Sequence, residues 1–197
     1  MKKKDLAIAL ELLGPVPEPD ASLEQYPTPA AIAADVVFEA YRRGDVEGMK
    51  VVDLGCGNGI FAIAAALMGA GASFGFDISE KAVRISRENA VSAGVAASFS
   101  VSDVKDVEEG ADTVFMNPPF GCQSRNADRP FLDKAMELSE CVYSLHKAET
   151  ADFVTGYCEK RGMNASLCKV YKYDIPHTFE FHRETKRSIE IAVVNIR

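Results

Sequence analysis

The sequence predicts a single α/β domain, doubly wound around a mostly parallel seven-stranded sheet with one antiparallel strand, and three observations carry that expectation. A short β-branched strand, Lys50-Val51-Val52-Asp53-Leu54, runs into Gly55-Cys56-Gly57-Asn58-Gly59 and then an apolar helix, the first half of a doubly wound nucleotide-binding unit. Acids close three successive strands, at Asp53, Asp77 and Asp103. Finally, the apolar run Val114-Phe115-Met116 stops abruptly in Asn117-Pro118-Pro119-Phe120, where neither proline can donate a ladder hydrogen bond. That strand therefore delivers a rigid loop at its carboxyl edge, where open α/β sheets hold their ligands.

Composition sets the limits. With 197 residues and 47% of them hydrophobic, the chain can bury one substantial core. No apolar run approaches a membrane span, and Met1-Lys2-Lys3-Lys4 precedes an acid-containing helix rather than a signal-peptide core, so a soluble, cytoplasmic protein is expected. The five cysteines are odd in number and never spaced Cys-x-x-Cys, which indicates reduced thiols rather than a disulfide framework or a metal site. The net charge of −7 is segregated: residues 1–156 balance at −10 and residues 157–197 at +3. A basic end on an acidic body fits contact with a polyanion through one face, and fits a solvated surface equally well.

Taken in order, Leu6, Ala9, Leu10 and Leu13 form a helical stripe ended by Gly14. Prolines 15, 17 and 19 make an extended crossing, after which Thr28 is expected to cap a second helix with Pro29 in its first turn and Ile32, Val36, Val37 and Ala40 inward. These pieces form a helical extension over residues 1–45 of the one domain, 1–197. The strand at 50–54 and its glycine loop follow, then a helix over 60–68. A strand ending in Asp77 places a carboxylate where it could take ribose hydroxyls. The helix from Ser79 to Ala93 is expected to turn Val83, Ile85 and Val91 inward and to stop at Gly94. Ser98-Phe99-Ser100-Val101 is a short strand running into Asp103 and Val104, an acid that could accept from an adenine amine and a side chain that could pack on its ring.

After Phe120 comes a polar stretch without periodicity, in which Arg125 and Arg129 could reach phosphates. Pro130 starts a helix through Leu138, residues 141–145 form a strand ending in His146-Lys147, and 150–161 form a helix stopped by Gly162. Two alternating strands, 165–173 and 188–196, close the chain as a hairpin whose connection contains His177 and His182. One strand of that hairpin must run antiparallel, at or near an edge.

Several segments occur together in one order: Leu23-Glu24-Gln25-Tyr26-Pro27-Thr28, Asp53-Leu54-Gly55-Cys56-Gly57, Gly75-Phe76-Asp77, Met116-Asn117-Pro118-Pro119-Phe120-Gly121, Tyr143-Ser144-Leu145-His146-Lys147 and Phe181-His182. In this the chain resembles the methyltransferase-like protein 5 family, S-adenosylmethionine-dependent adenine-N6 methyltransferases of small-subunit ribosomal RNA, with a class I, Rossmann-like fold. The resemblance implies that Gln25 and Thr28 close over the cofactor, that Asp53, Gly55, Gly57, Asn58 and Ile60 surround its methionine part, and that Asp77 takes the ribose. It assigns Asp103 and Val104 to the adenine of the cofactor, and Asn117, Pro118, Pro119 and Phe120 to the target base. It also implies a partner, a small zinc-binding activator subunit. The strand at 98–101, if it is a sheet edge, is where that subunit is expected to add a strand.

The chemistry expected at Asn117 follows from the substrate. An adenine amine is a weak nucleophile because its lone pair is conjugated into the ring, whereas a sulfonium methyl is highly activated, so geometry should matter most. Acceptance of both N–H bonds by Asn117 Oδ1 and the Pro118 carbonyl, with Phe120 stacked on the ring, would free the lone pair. No general base is required, and His146 is a strand-end residue that could touch substrate. A protein-glutamine methyltransferase would use the same loop on an amide, usually with tyrosine where Phe120 stands. A non-catalytic cofactor-binding module would keep the fold alone, and a nicotinamide enzyme would want a wider glycine spacing.

Overall fold

The computed structural model describes residues 1–17, 27–120, 126–175 and 187–197, with the backbone alone at 173–175 and 187–188. Gln25, His177, His182, Cys122 and Arg125 lie outside the described residues. In chain order the elements are α1 (Lys3–Glu11), α2 (Ala30–Arg42), β1 (Lys50–Leu54), α3 (Ile60–Leu67), β2 (Ala72–Asp77), α4 (Glu80–Ala93), β3 (Ser98–Val101), β4 (Thr113–Met116), α5 (Arg129–Leu138), β5 (Val142–Lys147), α6 (Ala151–Glu159), β6 (Ala165–Ile175) and β7 (Arg187–Ile196). They build one seven-stranded sheet in the order β3-β2-β1-β4-β5-β7-β6. Strand β7 runs antiparallel to both β5 and β6, and every other pairing is parallel. The chain winds outward from β1 to β3, then crosses back to start β4 on the other side of β1. The carboxyl ends of β1 and β4 therefore flank the point where strand order reverses, the place such sheets leave a crevice.

Two apolar layers cover the sheet. One gathers α1 to α4 through Leu6, Val37, Phe61, Ile63 and Val83; the other gathers α5 and α6 through Leu132, Ala135 and Val154. Central strands are buried on both faces, so Val51 points into the first layer while Val52 and Leu54 point into the second. Under the crevice, the Phe115 ring stacks between Phe61 at 5.6 Å and Tyr143 at 5.3 Å, giving β4 a stiff aromatic support. Because α1 and α2 share the first layer, the N-terminal helices pack as part of the same core. Among the described residues, no helix is long and apolar enough to cross a membrane.

Three expectations need correction. Thr28 does not cap α2: Pro29 occupies that position without a side-chain cap, and its carbonyl accepts from Ile32 and Ala33 N–H at 3.0 Å. The Thr28 hydroxyl is engaged elsewhere, as described below. In α4 the buried residues are Ala82, Val83, Ser86, Asn89 and Ala90, while Val91 is exposed. The inward stripe follows helical spacing through two polar residues, because Asn89 has a structural task that hydropathy cannot reveal. Alternation in β6 does not produce a buried face either: residues 166–170 are all exposed, Leu167 and Val170 included, since the strand is an edge with a register shift between Leu167 and Lys169.

The hairpin rises above the sheet. Lys147, the last residue of β5, pairs with Ile191, whereas β6 and β7 continue through four further pairs to Ile175 and Arg187. At about 3.3 Å per residue this lifts the hairpin roughly 13 Å past the carboxyl edge.

Candidate active site

The glycine loop is shaped by backbone bonds. Gly55 and Cys56 N–H both donate to the Phe76 carbonyl, at 2.8 and 2.9 Å, and Gly59 N–H donates to Cys56 O at 2.7 Å. Gly59 has φ of 85°, and a Cβ there would fall 2.9 Å from Ser86 Cβ and 3.0 Å from the Phe99 ring, so this glycine lets α3 pack against α4 and β3. Gly57 differs. Its φ is 54° and a Cβ there would meet nothing within 4 Å, so the loop offers a bare backbone to the open crevice. Its N–H donates to Asp77 Oδ2 at 2.9 Å, while Ser79 N–H donates to Oδ1 of the same carboxylate at 2.9 Å. Burial raises the Asp77 carboxyl above its ordinary range. The next residue, Ile78, is a large apolar side chain that stays 56% exposed at the strand end, and the sequence reading did not single it out.

Asp53 has a different duty from the one expected. It is almost wholly buried, and its Oδ2 accepts from Ala62 N–H at 3.1 Å. Gly59 stands at the N-cap of α3 and has no side chain to offer, so Asp53 supplies the capping acceptor from the neighbouring strand. It shapes the loop from behind rather than lining the crevice. Asn58 is similarly committed: its Nδ2 donates to Gly14 O at 3.3 Å, and its carbonyl accepts from Asn89 Nδ2 at 2.9 Å. Asn89 also takes Gly14 N–H on Oδ1 at 2.8 Å and gives Nδ2 to Gly14 O at 3.0 Å. One buried amide thus ties the end of the N-terminal helix to the glycine loop. Ile60 contributes its backbone at the first turn of α3 and buries its side chain in the core. Asp103 accepts from Lys105 N–H at 3.0 Å at the start of a single 3-10 turn, and Val104 packs on the second apolar layer.

Burial also sets a pH dependence. An aspartate in an unfolded chain titrates near about 4, whereas burial pushes Asp53 up to about 7. Between those values the folded state keeps a proton that the unfolded state has released, so this group lowers stability as pH rises from about 4 to about 7. His146 acts in the opposite sense, because burial pushes it down to about 4 and acid must charge it. Asp53→Asn keeps an acceptor for Ala62 and removes the proton. Relative to the wild type, the variant should gain stability as pH rises from 5 to 7, by up to about 1.4 kcal/mol per pH unit in urea unfolding. Parallel pH profiles for the two proteins would contradict this assignment.

The loop after β4 sits directly across the crevice. Asn117 Nδ2 donates to Thr28 Oγ1 at 3.0 Å, which brings the chain before α2 onto the Asn117-Pro118-Pro119-Phe120 loop. That bond fixes the amide plane and leaves its buried oxygen, Oδ1, as the end that Thr28 does not use. Pro118 is buried, and Phe120 is partly exposed. His146 lies beneath, only 2% exposed, with Nε2 2.6 Å from Ser144 Oγ and Nδ1 3.9 Å from Asp128 Oδ2. Held neutral by burial, it stands beside Asp128 where the loop returns into α5. The structure therefore gathers Thr28, Gly57, Asp77 and Asn117 to Phe120 around one crevice; Asp53 and Asn58 stand behind it, and Asp103 and Val104 lie along the edge toward β3.

Comparison with known proteins shows the family. The family model for ribosomal protein L11 methyltransferase (PrmA) matches residues 34–118, less than half of the chain, from α2 to the Asn117-Pro118 step. The rRNA N(6)-adenosine-methyltransferase METTL5 of Danio rerio is 35% identical over 100% of this chain and 98% of its own length. The chain belongs to the METTL5 family. The Drosophila melanogaster member, Mettl5, is 36% identical and spans 88% of this chain and 86% of its own. Among solved structures, PH1948 of Pyrococcus horikoshii, provisionally described as an RNA methyltransferase, is 37% identical with a TM-score of 0.92, covering 100% of this chain and 97% of that one. Kinship thus extends across both halves of the METTL5-type chain, the glycine-loop half and the half carrying α5, α6 and the hairpin.

Proposed function

We propose that the chain is a methyltransferase that uses S-adenosylmethionine to methylate N6 of an adenosine in RNA, in the cytoplasm, with small-subunit ribosomal RNA as its substrate. The observation that carries this reading is the placement of Asn117-Pro118-Pro119-Phe120 at the end of β4, facing the open glycine loop across the strand reversal. Its METTL5 relatives are named for rRNA N6-adenosine methylation, which supports the choice of base and of nucleic acid.

The residues fit the cofactor. Gly57 offers bare backbone, and the Asp77 carboxylate sits at the strand end where ribose hydroxyls would lie. Exposed Ile78 would cover one face of the adenine, with Asp103 and Val104 at its amine edge. Gln25 and Thr28 would close the site from the N-terminal segment. When bound, S-adenosylmethionine supplies an activated methyl group. The chain positions the acceptor: Asn117 Oδ1 and the Pro118 carbonyl take the two N–H bonds of the target amine, and Phe120 stacks on the base, aligning the lone pair with the methyl. The proton lost afterward needs no protein base.

The same reading includes an activator subunit on β3, the outer strand beside β2. Ser102 N–H bonds Asp77 O, so by alternation the N–H and C=O groups of Phe99 and Val101 face away from the sheet. Arg87 already holds the Phe99 carbonyl, through Nη2 at 2.6 Å and Nε at 3.1 Å, while Val101 is 48% exposed. An added strand would therefore pair with Val101 and with Phe99 N–H, and either share or displace Arg87. Incubation of the chain, with and without a co-expressed zinc-binding activator, with methyl-labelled S-adenosylmethionine and either ribosomal RNA or a release-factor protein tests the whole reading. Label in RNA is expected, enhanced by the activator; label in the protein would favour glutamine methylation instead.

A further inference from the structure

We propose that Arg129 and Phe153 form a second nucleotide subsite, which stacks a base of the RNA strand neighbouring the methylated adenosine. Phe153 lies in the first turn of α6 and is 47% exposed, outside both apolar layers. The Arg129 guanidinium stands over it, with its carbon 5.4 Å from the Phe153 ring centre and 5.5 Å from that of Tyr157. Arg129 Nε is buried with no hydrogen-bond partner among the described residues. A buried donor without an acceptor is unfavourable, and the exposed ring beside it leaves an aromatic face open for stacking. A nucleotide satisfies both, through its base face and through a phosphate or base-edge acceptor.

The platform is braced from behind. Tyr157 OH donates to Asp133, 2.9 Å from each carboxylate oxygen, and Arg161 lies 3.6 Å above the Tyr157 ring while pairing with Asp133 at 2.7 Å. Asp133 is thereby engaged by Arg161 and Tyr157, and the Arg129 guanidinium keeps its positive charge for an anionic strand. Phe153 and Tyr157 rings are 6.0 Å apart and tilted by 36°, so the Phe153 face is held at a set angle.

Its position suits a neighbouring nucleotide. β4 and β5 are parallel neighbours with Met116 beside Ser144, so the target-base loop starts level with Leu145, two residues before the end of β5. Asp128, next to Arg129, lies 3.9 Å from His146 near that end, and α6 begins a single 3-10 turn after Lys147. Arg129 and Phe153 therefore flank the loop at the same carboxyl edge, on the α5–α6 face of the sheet. Exposed aromatics with arginine are how proteins stack single-stranded bases, and the cation disfavours a purely apolar occupant.

The inference rests on the RNA reading above, so binding and transfer are measured separately on the full chain with its activator. A fluorescent single-stranded RNA oligonucleotide serves as the binding probe. Phe153→Ala and Phe153→Leu should each weaken binding and raise KM for ribosomal RNA roughly tenfold, the effect of one lost stacking partner, with kcat, cofactor affinity and melting temperature unchanged. Phe153→Tyr should retain wild-type values, and Arg129→Lys should lose part of the binding. Oligonucleotide affinity unaltered in Phe153→Ala would overturn the proposal, as would loss of activator binding alone, which would assign the ring to a protein contact. A wild type that binds the oligonucleotide through Phe153 but transfers no methyl would leave the subsite standing and defeat the proposed reaction.

Discussion

Replacing Asn117 with alanine is expected to reduce methyl transfer at least about 10²–10³-fold, the scale seen when one preorganised transition-state partner is removed, while S-adenosylmethionine affinity falls by a much smaller factor, the part that the Thr28 segment contributes. The expectation comes from where the side chain is held. Nδ2 is tied to Thr28 Oγ1 at 3.0 Å, so the bond that fixes the amide is made on the side away from the acceptor the target amine needs. Deleting the amide removes that acceptor and releases the Thr28 segment, but it leaves Asp77, Gly57 and the start of α3 as they were. Thr28→Ala keeps the acceptor but loses the bond that fixes it, so it should lose less transfer than Asn117→Ala and share its small loss of cofactor affinity. Isothermal calorimetry for the cofactor beside initial rates of transfer separates the two effects; an equal loss of both in Asn117→Ala would make Asn117 a cofactor or folding residue.

Asp77→Ala should have the largest effect on cofactor binding, weakening it by about 1–3 kcal/mol, or roughly 5- to 150-fold. Its two oxygens hold Gly57 N–H and Ser79 N–H, each at 2.9 Å. The carboxylate thus sets the open turn of the glycine loop, and on the proposed reading it also accepts the ribose hydroxyls. Asp77→Asn preserves one acceptor and should fall between wild type and alanine. Nicotinamide dinucleotide should bind none of the three. Cofactor affinity unchanged in Asp77→Ala would remove this residue from the site.

Most of the fold was legible because its signals are local. The strand–glycine–helix unit, the short strand at 98–101 and the proline stop after Met116 each follow from a few adjacent residues, and the strands they predict are the ones found. The resemblance to the METTL5 family was legible too, in segments spread along the chain. What could not be read was the partner of each polar side chain. Asp53 looked like a crevice acid, yet Gly59 leaves the first turn of α3 without a cap and the buried carboxylate supplies it. Thr28 had the right spacing for an N-cap, but a long-range contact to Asn117 took its hydroxyl. Asn89 disappears in a hydropathy pattern, although it connects Gly14 with Asn58. Such pairings depend on how strands are ordered in the sheet, which no short stretch encodes.

The pKa directions follow the same logic. Asp35 on α2 receives Lys3 at 2.7 Å, Tyr171 at 2.6 Å and Lys169, and although burial alone would raise it, these partners bring it down to about 2. Asp53, buried with only backbone donors, moves the other way. Two aspartates of one chain thus differ by their neighbours, and composition could not have said which.

On the proposed function the loop after β4 presents an adenine amine to a methyl donor. The most direct measurement is transfer of labelled methyl from S-adenosylmethionine to small-subunit ribosomal RNA by the chain with its activator, followed by digestion to nucleosides and separation of the labelled product. The label is expected in N6-methyladenosine and is expected to be absent with Asn117→Ala. Label on any other nucleoside, or N6-methyladenosine formed equally well by Asn117→Ala, would contradict it.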